Sequence, residues 1–273
     1  MTIRVRAPAT TANVGPGFDC VGIALDLWNE LELEPDPAAA PNRLHLGVRA
    51  FEQLATADGW RFRWTDRIPR QRGLGSSAAV VALGLAAAEL VRGRRPDPEA
   101  LLAAGLPLEG HADNLAAALA GGVCLTWEGR IARIADDAPA APIVLVPEAT
   151  VSTAESRRLL PEHVPHGDAA ATAARAALLG AALAAGSLEL FADALHDRLH
   201  EPYRAESAPL LGAVRERLPD GALGATLSGS GPSVVVWADP AAAEACAREL
   251  ERRFPEAAVQ ALAVTPRGAG AVD

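Results

Sequence analysis

The chain has 273 residues, half of them hydrophobic, enough for one large or two small domains with a sizeable core. A formal net charge of −9 argues against nucleic acid or an anionic membrane as partner, because both attract basic surfaces. All 25 basic residues are arginine, which excludes Schiff-base chemistry and a P-loop lysine, so a clamp on phosphate or carboxylate must use Arg, backbone or metal.

No apolar run is expected to span a membrane, and MTIRVRAPAT lacks the apolar core of a signal peptide, so a cytoplasmic location is expected. Cys20, Cys124 and Cys246 form no CxxC pair and read as buried free thiols. Residues 3–7 alternate as Ile-Arg-Val-Arg-Ala, a half-buried strand; TTANVGPGFD then reads as a polar loop before a second strand at about residues 22–34. Asn13 and Asp19 fall in or beside that loop, where a turn role is the plain reading. After the connection PDPAAAPN, RLHLGVRAFEQLATADG has helical spacing and leads to a strand at WRFRW.

IPRQRGLGSSAAVVALGL follows, a Gly-rich loop passing through two serines into an apolar helix from Ser77 to about Arg92. Gly73 and Gly75 permit positive φ and close approach of a ligand. The helix start offers unpaired N–H groups and partial positive charge to an anion. The loop matches neither GxxxxGK[ST] nor GxGxxG, and a tight turn with an N-cap is the alternative.

RGRRPDPEA is a break, EALLAAG a short helix and LPLEGHADN a turn holding Glu109 and His111, with Asp113 and Asn114 suited to capping the next helix. VCLTWEGRIARI reads as a hairpin around Glu128-Gly129 and APIVLVPE as a buried strand. The halves are expected to divide just beyond it, into 1–147 and 148–273. VSTAESRRLLP opens with a capping arrangement and exposes Arg157 and Arg158. Ala-rich helices are expected at 169–183 and 188–200, the second carrying HDRLH, whose His196 and His200 nearly match the zinc-protease pattern HExxH. Asp197 is shorter than the Glu that chemistry needs, and no third ligand is evident. The order strand, Gly-rich turn, strand, helix, strand from GALGATLSGSGPSVVVWAD to VQALAVT suits a small α+β sandwich.

PRQRGLGSSAA resembles the phosphate-binding motif of the GHMP kinases, and APATTANVGPGFDCVGIAL and LSGSGPSVVVW resemble the family's first and third motifs. EGHADN and VSTAESRRLLP narrow the resemblance to members that phosphorylate L-homoserine, and it covers nearly the whole chain. It implies a two-lobed α+β fold, with a ribosomal-protein-S5-like N-terminal nucleotide-binding lobe and a ferredoxin-like C-terminal lobe, and transfer of the ATP γ-phosphoryl group to homoserine in threonine biosynthesis. The nucleotide loop it implies is Pro69, Arg70, Gln71, Arg72, Gly73, Leu74, Gly75, Ser76, Ser77, Ala78 and Ala79. Ser77 and Glu109 correspond to magnesium-holding positions, and Asn114 to the residue that meets the substrate hydroxyl. Asp19 corresponds to the contact with the substrate ammonium, with Asn13 nearby; Thr153, Arg157, Arg204 and Gly229 complete the implied substrate site.

Gln71 stands where the family usually has a small residue, Arg70 or Arg72 stands where relatives use Lys, and the connection before residue 43, which helps hold adenine, is short. A kinase for mevalonate-like or diphosphocytidyl substrates and a catalytically silent binding protein of the same fold are the alternatives. Ser77 and Glu109 argue against the silent version, and a homodimer stays open.

Overall fold

The computed structural model describes residues 2–272. β1 (Ile3–Asn13) and β2 (Gly17–Pro35) pair antiparallel, followed by α1 (Leu46–Phe51), β3 (Trp60–Thr65), α2 (Ser76–Val91), α3 (Pro98–Glu109), α4 (Ala112–Ala120) and the hairpin of β4 (Val123–Trp127) and β5 (Arg130–Ala135). β6 (Ala141–Pro147) begins the second half. Helices α5 (Thr153–Arg158), α6 (His166–Ala185), α7 (Leu188–Ala194), α8 (Glu201–Arg204) and α9 (Pro209–Glu216) then precede β7 (Ala222–Leu227), β8 (Val234–Ala238), α10 (Ala243–Arg253), β9 (Ala257–Ala261) and β10 (Gly270–Ala271).

One sheet runs β10-β1-β2-β4-β5, with β3 also on β2; the other runs β7-β8-β6-β9. In the second sheet the first strand lies between the third and fourth, the split βαβ order of a ferredoxin-like lobe. β2 is long enough to serve two partners, pairing β4 over Val21–Ile23 and β3 over Glu30–Pro35. Its register against β1 shifts between Pro8 and Ala9, where Pro8 has no N–H to give the ladder.

The apolar run at β6 reads as it does because both faces of the second sheet are covered. Val144, Val146, Val235 and Trp237 point to a core that also holds Leu179 and Phe191 and continues into the first lobe, while Ile143, Leu145, Val234 and Val236 point to a core with Val214 and Leu250. α2 is apolar on all sides because it is packed on all sides: Ala78 through Ala88 are buried without exception.

Several expected boundaries move. The loop expected at residues 10–19 is mostly strand, since β1 reaches Asn13 and β2 begins at Gly17. The short helix and turn expected after residue 98 are one helix to Glu109, which tolerates Pro107 in its last turn and stops at left-handed Gly110 (φ 80°). The helix expected over 188–200 ends at Ala194. The division at residue 147 differs from the pairing: β6 belongs to the second sheet, and the chain returns to the first lobe through β10, which pairs with β1. Finally, α6 is long and apolar enough by composition to cross a membrane, contrary to expectation. In the fold it buries Leu179, Ala182 and Leu183 against the shared core, and its hydropathy comes largely from alanine.

Candidate functional site

Six segments converge on one cleft between the lobes: the β1–β2 turn, the loop before α2, the α3–α4 junction, the start of α5, the end of α8 and the β7–β8 turn. The loop before α2 needs its glycines. A Cβ on Gly73 (φ 74°) would lie 2.1 Å from the carbonyl of Ser228, and one on Gly75 (φ 63°) would lie 1.8 Å from Thr10 Oγ1. Gly75 is also the N-cap of α2 and has no side chain to cap with, so Ser76 and Ser77 are the first helical residues and not the cap. Ala79 is the first N–H to find an intrahelical acceptor, Gly75 O at 2.8 Å. Of the residues before it, Gly75, Ser76 and Ser77 line the cleft, where the helix start can serve as an anion site.

α3 extends to Glu109 and so delivers its carboxylate to this helix end, where Ser77 Oγ donates to Glu109 Oε2. Burial pushes the Glu109 carboxyl up to about 7, against the opposing hydrogen bond from Ser77 and with a smaller push from Asp113. Asn114, in the first turn of α4, is fixed from both sides. Its Oδ1 accepts from Thr10 Oγ1 at 2.7 Å, while Asp113 Oδ1 accepts from the Asn114 backbone N–H at 2.7 Å and from Nδ2 at 3.3 Å. Asp113 is buried, and that burial raises its carboxyl above the usual range.

The opposite wall carries the charges. Arg157 donates through both terminal nitrogens to Asp19 Oδ2, with Nη1 at 3.1 Å. Arg204 is buried, and both guanidinium groups lie over the Phe18 ring, 5.4 Å from its centroid for Arg204 and 5.6 Å for Arg157. Asn13 (φ 71°) and Asp19 (φ 54°) take left-handed conformations that fold the motif back on itself. Asn13 staples the first and third motifs: Nδ2 donates to Gly229 O at 2.8 Å and Oδ1 accepts from Asp19 N–H at 3.0 Å. Gly229 uses its own N–H on Ala12 O, so it shapes the wall with both backbone groups engaged inside the protein. Thr153 opens α5 at the rim, 3.5 Å from the Ser230 hydroxyl.

Not every expected residue arrives here. Pro69, Arg70, Ala78 and Ala79 do not line the cleft. Arg70 pairs with Asp66, and Arg72 is turned into a clamp between lobes, with Nε donating to Pro147 O at 2.7 Å and Nη2 to Glu148 O at 2.5 Å. Gln71 adopts φ 56°, which explains why a small residue suits that position, and its carbonyl accepts from Val151 N–H at 3.2 Å. The HDRLH pattern lies off any helix, and the buried His200 ring is engaged by Gly15 O and Arg204, so the pair does not present a zinc-protease face. Thr10, Phe18 and Asp113 carry no site role in the sequence reading, and His200 enters it only through the zinc-protease pattern. Thr10 and Phe18 lie inside the first motif and Asp113 inside EGHADN, the signals that could have found them.

The model of the GHMP kinases N terminal domain matches residues 43–122, and that of the GHMP kinases C terminal matches residues 179–256. A homoserine kinase of Streptomyces avermitilis is 41% identical over 271 residues, covering 90% of this chain and 88% of the relative. One from Streptomyces coelicolor is 41% identical over 262 residues, covering 87% of this chain and 84% of the relative. The crystal structure of homoserine kinase from Cytophaga hutchinsonii aligns with a TM-score of 0.87 at 27% identity, covering 99% of this chain and 97% of that one.

Proposed function

The chain belongs to the homoserine kinases of the GHMP kinase family, and from that premise we propose how its cleft transfers the γ-phosphoryl group of ATP to the hydroxyl of L-homoserine, giving O-phospho-L-homoserine for threonine biosynthesis. One observation carries the reading: a helix N-terminus, an amide fixed on both sides, an Asp19–Arg157 ion pair and the buried Arg204 face the same cleft.

Phosphoryl transfer asks mainly for alignment and charge neutralisation. The N–H groups at the start of α2 receive the phosphates. Ser77 and Glu109 are hard oxygen donors side by side, and a carboxylate that burial leaves uncompensated is suited to a divalent cation. Magnesium bound there with the nucleotide would neutralise charge on the transferring group. Asn114, oriented by Thr10 and Asp113, aims the substrate hydroxyl at the phosphorus. Substrate takes the place of the Asp19–Arg157 pair: Asp19 receives the ammonium, and Arg157, released from it, joins Arg204 on the carboxylate.

The adenine is assigned to a groove beside the phosphate loop, lined by Asn42 and Phe62 and walled by His45 and Trp64, whose ring centroids are 4.4 Å apart. Burial holds His45 below its usual pKa, and Asp66 and Arg70, at the entry to the phosphate loop, are close enough to act on it. The enzyme is placed in the cytoplasm, beside the ATP it uses.

The zwitterion assignment is tested with 4-hydroxybutyrate, which lacks the ammonium. The wild type should prefer homoserine by about tenfold or more, and Asp19→Asn should narrow that gap, because a substrate without the ammonium gives the half-exposed Asp19 carboxylate no partner in place of Arg157. Equal turnover of both substrates by the wild type, or an unchanged preference in Asp19→Asn, removes Asp19 from amino-group recognition.

A further inference from the structure

Behind Arg204 stands a histidine that the reaction does not use. His200, the residue before α8, is fully buried, with Nε2 at 2.9 Å from Gly15 O and Nδ1 at 3.0 Å from Arg204 Nη1. A carbonyl oxygen can only accept, so Nε2 carries the proton. The neutral ring therefore turns its Nδ1 lone pair to Arg204, which can only donate.

The ring is itself immobilised. It stacks on Phe18 with centroids 4.9 Å apart, the same ring over which Arg157 and Arg204 lie. Asp197 fixes the backbone beneath it, accepting from the N–H of His200 at 2.7 Å and of Glu201 at 2.8 Å. Burial holds His200 below its ordinary pKa, consistent with the neutral tautomer that the two contacts require. Of the Arg204 donors, Nη1 is engaged by His200 and, at 3.4 Å, by Gly229 O, whereas Nε is buried and has no hydrogen-bond partner in the protein. The guanidinium is held at one corner, with donors left for an incoming acceptor.

We infer that His200 is a positioning residue for the substrate carboxylate: as the Nε2-protonated ring strung between Gly15 and Arg204, it aims the Arg204 guanidinium into the cleft and sets homoserine affinity without touching homoserine. This rests on the reading of Arg204 as a carboxylate contact.

Two substitutions divide the ring's two bonds. His200→Asn keeps an acceptor near Nδ1 and loses the donor to Gly15; His200→Gln keeps a donor near Nε2 and loses the acceptor for Arg204. Kinetics with homoserine and with 3-aminopropan-1-ol, which lacks the carboxylate, should show His200→Gln raising homoserine KM by about tenfold while ATP KM and kcat stay within about twofold. His200→Asn should stay within about threefold of wild type, and neither variant should change kcat/KM for 3-aminopropan-1-ol by more than that. Equal losses on both substrates, or His200→Asn as damaging as His200→Gln, would mean that the ring is merely structural.

Arg204→Ala separates the two readings. If it leaves the preference for homoserine over 3-aminopropan-1-ol intact, the carboxylate assignment fails; if it abolishes that preference and His200→Gln does not, only the positioning role fails. Nitrogen NMR of the wild-type histidines needs no variant to fold, and a proton on Nδ1 of His200 overturns the inference.

Discussion

Replacing Glu109 by Gln should make the metal-free protein more stable as it makes the enzyme worse. Burial raises this carboxyl from 4.5 to about 7, which at about 1.36 kcal/mol per pH unit amounts to about 3 kcal/mol against the charged form. Solvent at the cleft mouth screens part of that, leaving about 1–2 kcal/mol. The sign follows from proton binding. A carboxyl with a raised folded pKa holds its proton more tightly folded than unfolded, so its contribution is most favourable below 4.5, declines as pH rises, and is at its lowest above about 7. Gln carries no charge, and its Oε1 can still accept from Ser77.

In a metal chelator at pH 8, Glu109→Gln should therefore melt about 2–6 °C above wild type, and at pH 5 the difference should nearly vanish. Calorimetry at the two pH values is the assay. Saturating magnesium and ATP should reverse the order, because they bind the wild-type native state more tightly and stabilise by mass action. A melting difference that is the same at pH 5 and pH 8, or a variant less stable than wild type at pH 8 without metal, would show that the carboxylate is not held at a cost.

Ser77→Ala should lower kcat by about 10²-fold with little change in homoserine KM, as expected for a group acting on the transferring phosphoryl, and wild-type turnover at saturating ATP and magnesium removes Ser77 from the mechanism. Trp64→Ala should raise ATP KM by about tenfold while leaving homoserine KM alone, since base–aromatic stacking contributes about 1–3 kcal/mol; an unchanged ATP KM places the adenine elsewhere. His196→Ala should leave activity within about twofold, in keeping with the small effects of surface substitutions, and a transition-metal chelator in excess magnesium should do the same; stoichiometric zinc in the purified protein would count against both.

What the sequence showed best was what chain-local chemistry determines. The glycines, serines and apolar run around Gly73–Leu85 announce a loop entering a buried helix, and the unbroken burial of β6 and β8 follows from their uninterrupted apolar residues. What it hid were partnerships across the chain. Thr10 and Asn114 are 104 residues apart, and Arg72 reaches 75 residues to Pro147. An arginine in a phosphate loop reads as a phosphate ligand until those carbonyls are seen. His196 and His200 have helical spacing, but α7 ends before them and sends the second ring inward. LPLEGHADN reads as a turn, yet α3 continues through Pro107 and stops only at Gly110. Asn13 looked like a substrate contact, whereas both ends of its amide are engaged in joining the first motif to the third.

The return of the chain from the second lobe has a consequence for synthesis. β10 covers the outer edge of β1 through Val5 and Arg6, while Asp26 N–H of β2 donates to Ala263 O, Thr265 N–H donates to Ala24 O of β2, and Ala269 N–H donates to Ala118 O. Domains emerging from a ribosome generally fold from the N-terminus onward. Here the half made first lacks its edge strand until residues 270–271 have been added, well after the second lobe, and through that interval β1 carries backbone groups of the kind that invite pairing with other chains. The first lobe is begun before the second and closed after it.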